Sequence, residues 1–300
     1  MPDPEDKTPG EVDALRKEVK RLRAALNRMT PDLGALLNRR GFVVYKKEPR
    51  DDLFVPANRH RAGYYQMMHR YSFRLFLRDV IKHQDGLTLE NVIRYATVTV
   101  TRSYLEYLLS IRLLRKKGEG YALVKRPIRS FGTTLEWYIA ELFRREFGAE
   151  TAWGVKFKRP KVGGDYDVLA RFEASLFYLE VKSSPPKQIY DSEIEAFLDR
   201  VYDLSPEIAV FLMDTELRMK DKIVPMFEQE LERRFHVPPP VIRLEREIFR
   251  IDDRIFIINA KEELLQNLKA VLSRHYRRDW LPERSVGRAR RAGARRSHAT

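Results

Sequence analysis

The apolar positions near the start of the chain repeat at alternating steps of three and four residues, which is the spacing of a heptad seam. The six residues that share this spacing are Val12, Leu15, Val19, Leu22, Leu26 and Met29. The pattern predicts a coiled-coil helix over residues 11–30, after a polar segment, 1–10, that we expect to be disordered. A seam this short holds a dimer weakly, so a helix packed on its own domain is the alternative to the homodimer that we favour.

Residues 64–125 show a different pattern, with helical periodicity followed by a short ribbon. The apolar stripe from Phe73 to Ile81 marks a first helix. Thr88 is placed to cap a second helix over 89–96, and Thr99 or Thr101 to cap a third. Residues 113–123 then predict two strands around a basic turn. This order resembles a winged-helix domain with its wing, whereas the mixed, basic connector before it, 31–63, predicts no clear element.

The resemblance to winged-helix domains implies that the third helix enters a DNA groove while the wing contacts phosphates. The helix candidates for DNA contact are Arg102, Ser103 and Tyr107, and the wing candidates are Arg115, Lys116 and Lys117. Winged helices also bind proteins, and Glu106 on the same helix would repel phosphate, so this alternative stays open.

Residues 126–276 alternate between helical and strand patterns, which predicts an α/β domain. A helix from Thr133 or Thr134 ends at Phe147 before a capping Gly148. Strands are predicted around 152–157, 166–170, 177–182 and 208–213, with a helix over 187–204 and another that ends near residue 235. A hairpin over 248–258 and a helix over 261–276 complete the prediction.

Three charged side chains interrupt the second and third of these strands. Asp167 lies in one strand, and Glu180 and Lys182 lie on the same face of the next, because side chains in a strand alternate between faces. If Asp167 stands opposite Glu180, residue 171 faces 176 and residues 172–175 form a hairpin loop of ordinary length.

Two carboxylates brought together beside an ammonium group repel and desolvate one another unless a cation completes the site. We therefore expect a divalent-metal site at Asp167 and Glu180. The alternative is an edge hairpin with both carboxylates in solvent and Lys182 in a surface salt bridge.

Residues 133–214 resemble the core of the PD-(D/E)xK nuclease superfamily, with its restriction-endonuclease-like fold. Asp167 matches the Asp of the motif, and Glu180-Val181-Lys182 matches (D/E)-x-K. The chain departs from the motif in having Tyr166 where Pro is nominal. The family often adds an acidic residue from the preceding helix, and Glu136 is similarly placed.

The resemblance implies hydrolysis of DNA phosphodiester bonds, with endonuclease action favoured, supported by Mg²⁺ or by Mn²⁺ as a substitute. Asp167, Glu180, the Val181 carbonyl and Glu136 would hold the metal, and Lys182 would stabilise the attacking water and the phosphate. Asp165 competes with Asp167 for this role, and Glu141 competes with Glu136.

Composition favours a polyanionic partner. The chain has a net charge of +14 and a pI near 9.8, which suits phosphate neutralisation. The tail 277–300, with six arginines from Arg284 onward, is expected to be disordered and to bind DNA without regard to sequence. The predicted basic loop contains three further candidates for contact with the phosphate backbone of DNA, Lys158, Arg159 and Lys161.

The remaining composition narrows the classes of function. The absence of cysteine excludes disulfides and thiolate metal sites. No apolar run approaches the ~20 residues of a membrane span, so we expect a cytoplasmic protein without membrane contact. Two alternatives remain: a non-catalytic DNA-binding scaffold with a nuclease-like domain, and the same chemistry on RNA.

Overall fold

A computed structural model describes residues 9–125, 127–158 and 162–277. The polar start before residue 9, the arginine-rich tail from 278 onward, and the basic-loop candidates Arg159 and Lys161 lie outside these ranges. No helix within them is long and apolar enough to cross a membrane.

Helices and strands alternate through the second half of the chain, as the patterning predicts. The helices are α1 Pro9–Met29, α2 Leu33–Arg39, α3 Arg61–Met68, α4 Tyr71–Lys82, α5 Val98–Ser110, α6 Gly132–Phe147, α7 Asp191–Leu204, α8 Ile223–Arg234 and α9 Leu264–Tyr276. The strands are β1 Val44–Lys46, β2 Leu114–Lys117, β3 Gly120–Leu123, β4 Glu150–Phe157, β5 Tyr166–Phe172, β6 Ser175–Lys182, β7 Ile208–Met213, β8 Val241–Glu245, β9 Ile248–Ile251 and β10 Ile255–Asn259.

An eight-stranded sheet in the order β1-β4-β5-β6-β7-β10-β9-β8 forms the centre of the molecule. The pairs from β1 to β6 are antiparallel, β7 is parallel to both β6 and β10, and β9 and β8 continue antiparallel. The predicted α/β class is therefore confirmed as a mixed sheet flanked by helices.

Helices cover both faces of this sheet, because successive side chains of its strands enter two different cores. On β6, Phe177, Leu179 and Val181 belong to a core that also contains residues of α4, α5, α6 and α9. Leu176 and Tyr178 belong to the other core, with residues of α2, α7 and α8. The predicted separation of Leu179 and Val181 from the face of Glu180 is confirmed.

The segment 31–63, without an assigned element in the sequence, contributes a helix and an edge strand. Asp32 caps α2 by accepting a hydrogen bond from the Ala35 N–H at 2.7 Å. The Leu33 N–H is bound by Glu150 of β4 at 2.9 Å, and β1 pairs with the far end of the same strand. This segment therefore extends the sheet domain.

The helical region before the sheet domain differs from the prediction in one element. Residues 89–96 form turns, so the predicted second helix is wrong. In place of helical bonds, the Val92 N–H donates to the Leu89 carbonyl at 3.2 Å, an i to i−3 turn bond. The Asn91 side chain accepts from the Thr88 N–H at 3.2 Å and donates to the Gly86 carbonyl at 2.7 Å, which fixes the start of this turn segment. The cap of α5 is Thr97, and not Thr99 or Thr101.

The ribbon β2–β3 forms as predicted, and Leu87 joins it through a bridge to Tyr121. Two of the three predicted helices and the ribbon are thus present, and Leu87 adds a single bridge to the ribbon. Because the middle helix is replaced by turns, the winged-helix assignment remains a prediction.

A buried ion pair connects this helical region to the sheet. Arg74 of α4 lies 2.9 Å from Asp214, at the end of β7, and their side chains are 1% and 0% exposed. Arg78, one turn further along α4, donates to the Asp214 carbonyl at 2.8 Å and to the Ser183 carbonyl beyond β6. The ends of two central strands are therefore held by one helix.

Replacing Arg74 by leucine should lower the free energy of unfolding by about 3 to 5 kcal/mol, because Asp214 would keep a buried charge with weaker compensation. The control Arg233→Leu removes a guanidinium that is 60% exposed and should lower the free energy of unfolding far less, because solvent screens an exposed ion pair. Denaturant unfolding measures both changes. Equal midpoints for the two variants would contradict this account of the buried pair.

Candidate catalytic site

The hairpin β5–β6 brings the predicted motif together in the expected register. Val168 pairs with Leu179 and Arg171 with Leu176, and continuation of this register sets Asp167 opposite Glu180. The predicted loop is too long, because Phe172 still pairs with Ser175. The turn is therefore two residues, with Glu173 at a positive φ of 50°.

Glu180 is the most enclosed charge of the site, at 3% exposure. Its Oε2 atom accepts hydrogen bonds from the Tyr178 hydroxyl and from Arg200 Nη1 at 2.9 Å. Its Oε1 atom lies 3.0 Å from the Lys182 ammonium. Both carboxylate oxygens are thus bonded to protein cations or donors.

Lys182 lies between two carboxylates. Its ammonium is 3.0 Å from Glu180 and 2.7 Å from Glu193 in the first turn of α7. Burial alone would lower the pKa of this ammonium, but the charge of Glu180 and the hydrogen bond to Glu193 outweigh that effect and raise the pKa. Lys182 therefore remains charged and is suited to electrostatic work and not to that of a base.

Asp167 is partly exposed and accepts a hydrogen bond from the Val181 N–H at 2.7 Å. Burial, followed by the charges of Glu180 and Glu136, raises its pKa well above the ordinary value. The hydrogen bond from the Val181 N–H fixes the Asp167 carboxylate against the Glu180-Val181-Lys182 segment.

Glu136 of α6 completes a group of three neighbouring carboxylates. A methyl group built on Gly154 of β4 would lie 3.5 Å from its Oε2 atom, so the carboxylate reaches the sheet beside a residue without a side chain. Burial, then the charges of Asp165 and Glu180, raise the pKa of Glu136 to about 8.

The two competing carboxylates have other partners. Asp165 lies 2.8 Å from the Lys156 ammonium on β4. Glu141 is bonded by Arg144 and, at 2.8 Å, by Arg145. The charge of Glu180 raises the pKa of Glu136, which indicates that Glu136 lies near the motif.

The donor chemistry of the site fits a hard divalent cation, because Glu136, Asp167 and Glu180 offer oxygen atoms and their mutual repulsion would be relieved by positive charge. Among the described residues, however, no group of three or more His, Asp or Glu side chains is already arranged to hold a metal ion. Glu180 Oε2 accepts from Tyr178 and Arg200, and Oε1 faces the Lys182 ammonium. Because each carboxylate oxygen has two lone pairs, a cation would share Glu180 with these groups.

Three residues of the site were missed by sequence reasoning. Tyr178 lies two positions before Glu180 on the same strand face, so strand alternation contained the signal. Arg200 and Glu193 come from α7, and only the folded chain brings them to the hairpin. Gly164 adopts a φ of 98°, which residues with side chains rarely adopt, and a methyl group there would also lie 2.7 Å from Arg200 Nη2.

The candidates for DNA contact differ in the solvent exposure of their side chains. Arg102 and Ser103 on α5, the three basic residues of β2, and Lys158 are exposed. Lys116 lies over the Tyr121 ring at 4.3 Å. Tyr107 is half-buried, with an enclosed hydroxyl oxygen and a ring packed against Phe73, so it is less available for DNA contact than the other candidates.

No family model and no curated protein matches this chain. Three solved structures are similar to it at low identity. Protein VC1899 from Vibrio cholerae has a TM-score of 0.48 and 14% identity, over 81% of this chain and 61% of that chain. Can2 from Sulfobacillus thermosulfidooxidans, in complex with cyclic tetra-adenylate, has a TM-score of 0.35 and 15% identity, over 60% and 51%.

The third structure is a Type III CRISPR defence DNA nuclease activated by cyclic oligoadenylate, with a TM-score of 0.32 and 14% identity, over 62% of this chain and 24% of that chain. This chain therefore spans less than two thirds of the length of each of the three structures.

Replacing Glu136 by glutamine should stabilise the metal-free protein at alkaline pH. A raised pKa means that the folded state holds the proton more tightly than the unfolded state, so the free energy of unfolding falls as pH rises from about 4.5 toward 8. The variant should gain on the order of 2 kcal/mol near pH 9 and almost nothing near pH 4.5. Unfolding by denaturant in EDTA at both pH values measures the difference.

The matched control is Glu106→Gln, which changes an exposed glutamate on α5 and should change the free energy of unfolding little, as surface substitutions usually do. A Glu136→Gln variant with the same pH dependence as the parent would show that this carboxylate is not held near the other two.

Proposed function

We propose that the chain is a metal-dependent nuclease of the PD-(D/E)xK type that hydrolyses DNA phosphodiester bonds, with endonuclease action favoured. The observation that carries the proposal is the convergence of Asp167, Glu180 and Lys182 at adjacent positions of one hairpin, with Glu136 beside them. Two strands and a helix from separate parts of the sequence contribute to this group.

In the proposed site, Asp167, Glu180, Glu136 and the Val181 carbonyl would hold Mg²⁺, or Mn²⁺ in its place. The ion would lower the pKa of a bound water molecule and would place positive charge beside the phosphate. The Lys182 ammonium, fixed by Glu180 and Glu193, would orient that water and stabilise negative charge on the phosphate oxygens. Arg200 and the Tyr178 hydroxyl would keep the Glu180 carboxylate in one orientation.

DNA would approach across the exposed basic residues. Arg102 lies on α5, and Arg115, Lys116 and Lys117 follow one another on β2. Their charge suits phosphates, whereas the exposed Ser103 hydroxyl donates to the Val100 carbonyl of its own helix. Lys158 lies at the end of β4, at the start of the basic loop.

One observation favours the alternative of a non-catalytic DNA-binding protein. Both oxygens of Glu180 are bonded to protein groups, which stabilises the fold without a metal. The alternative predicts DNA binding that is indifferent to EDTA and no cleavage of any nucleic acid.

Asp167→Asn and Lys182→Ala should each lower the rate of DNA cleavage by about a hundredfold or more, because they remove a metal ligand and the charge beside the phosphate. Plasmid, linear and branched DNA, with RNA as a separate substrate, should be tested with Mg²⁺, Mn²⁺ or EDTA. Asp199→Asn is the control, since Asp199 pairs with Arg234 on α8 and should leave the rate unchanged.

Full activity in Asp167→Asn or Lys182→Ala would refute this assignment of the site. Absence of cleavage by the parent protein on every substrate, together with DNA binding in EDTA, would support the non-catalytic alternative. Cleavage of RNA alone would show that the same chemistry acts on RNA and not on DNA.

The double variant Arg115→Ala, Lys117→Ala should weaken DNA binding and reduce its salt dependence. Each lost phosphate contact should lower the slope of log affinity against log salt by about one. Binding titrations at several salt concentrations measure the slope, with Lys269→Ala, an exposed lysine on α9, as the control. An unchanged slope in the double variant would exclude the ribbon from the DNA interface.

A further inference from the structure

Helix α1 carries an apolar stripe that the described part of its own chain leaves largely uncovered. Leu15, Val19, Leu22 and Leu26 are 48%, 45%, 54% and 61% exposed. These residues follow the heptad spacing along a 21-residue helix. A contiguous exposed stripe of large apolar side chains is typical of a surface that binds another protein.

The residues of the stripe favour a particular partner. In the heptad register, the a positions include Val12 and Val19, and the d positions include Leu15 and Leu22. β-Branched residues at a with leucine at d favour parallel two-stranded coiled coils. A second copy of this chain supplies a matching helix without any further component.

The charged residues beside the apolar stripe favour one orientation of the two paired helices. The g positions carry Glu11 and Glu18, and the e positions carry Arg16 and Arg23. In a parallel pair, each g residue faces the e residue of the next heptad on the partner, so glutamate meets arginine. In an antiparallel pair, g faces g and e faces e, so like charges meet.

We propose that α1 pairs with α1 of a second copy in a parallel, two-stranded coiled coil. The helix contains competing ion pairs, Arg16 with Asp13 and Arg21 with Glu18, at 3.4 and 2.6 Å. Arg16 and Asp13 are 77% and 70% exposed, so exchange of their pair for one across the interface costs little.

This orientation sets the arrangement of the two sheet domains. α1 ends at Met29, and α2 begins at Leu33 with three residues in the core. The short connection fixes each sheet domain near the C-terminal end of its own α1. A parallel pair therefore brings both sheet domains to the same end of the coiled coil.

The chain contains no cysteine, so a single introduced cysteine reports the geometry directly. Full-length Leu15→Cys should form a disulfide-linked dimer on mild oxidation, and Leu26→Cys should do the same. In an antiparallel pair, positions 15 and 26 would face each other instead, so a mixture of the two variants would give the mixed disulfide. Lys17→Cys, on the outer face of α1, is the control and should remain largely uncrosslinked.

Mass spectrometry of the mixed sample distinguishes the outcomes. Disulfides that join like positions, with a parent mass in solution that rises to that of a dimer at micromolar concentrations, support the proposal. A preferential 15–26 disulfide would overturn the parallel orientation. A monomeric mass at every concentration, with crosslinking no greater than for Lys17→Cys, would overturn the pairing itself.

Charge exchange gives an independent test. Glu11→Lys and Arg16→Glu should each weaken self-association several-fold, because each creates two like-charged contacts per dimer. Mixing the two variants should restore association as a heterodimer, in which both contacts again join opposite charges. A mixture that associates no better than its separate components would contradict the g-to-e contact.

These measurements do not depend on catalysis. α1 contributes no residue to the candidate site, so failure of pairing would leave the proposed nuclease activity untouched. Absence of cleavage would likewise not contradict the proposed dimer.

Discussion

The buried carboxylate of Glu180 is the constraint on which the centre of the molecule depends. An isolated charge at 3% exposure would destabilise the fold by several kcal/mol unless its oxygens were bonded. Tyr178, Lys182 and Arg200 provide those bonds. Since Arg200 belongs to α7, this charge determines how the helix packs on the hairpin, and the backbone at Gly164 must leave room for the guanidinium.

A second group of buried charges links the helical region to the same strands. Arg74 and Arg78 of α4 bind Asp214, and Arg78 also binds the Ser183 carbonyl. Asp214 in turn donates its backbone N–H to the Lys182 carbonyl at 2.8 Å. The backbone around Lys182 is therefore held from one side by α4 and from the other by the neighbouring strand. A shift of α4 would be transmitted directly to this segment.

The parts of the fold that depend on local patterning could be predicted from the sequence. Strand alternation and a hairpin register set Asp167 across from Glu180, and Gly148 marked the end of α6 because glycine readily adopts the left-handed conformation of a helix C-cap. The helix expected over 89–96 is replaced by turns, with a bond from the Val92 N–H to the Leu89 carbonyl, and its apolar spacing did not distinguish the two. Arg200 could not be predicted, because its contact with Glu180 depends on the packing angle of α7.

The same packing keeps three carboxylates closer than they would stand in solution. Asp167 and Glu180 are opposed by the register of the hairpin, and Glu136 is brought to them by α6, whose buried residues anchor it on the sheet. Strand pairing or helix packing positions the backbone of each of the three. The raised pKa values of Asp167 and Glu136 follow from burial and from this proximity. Glutamine or asparagine would relieve this repulsion, so its presence supports the proposal that the site takes an added cation.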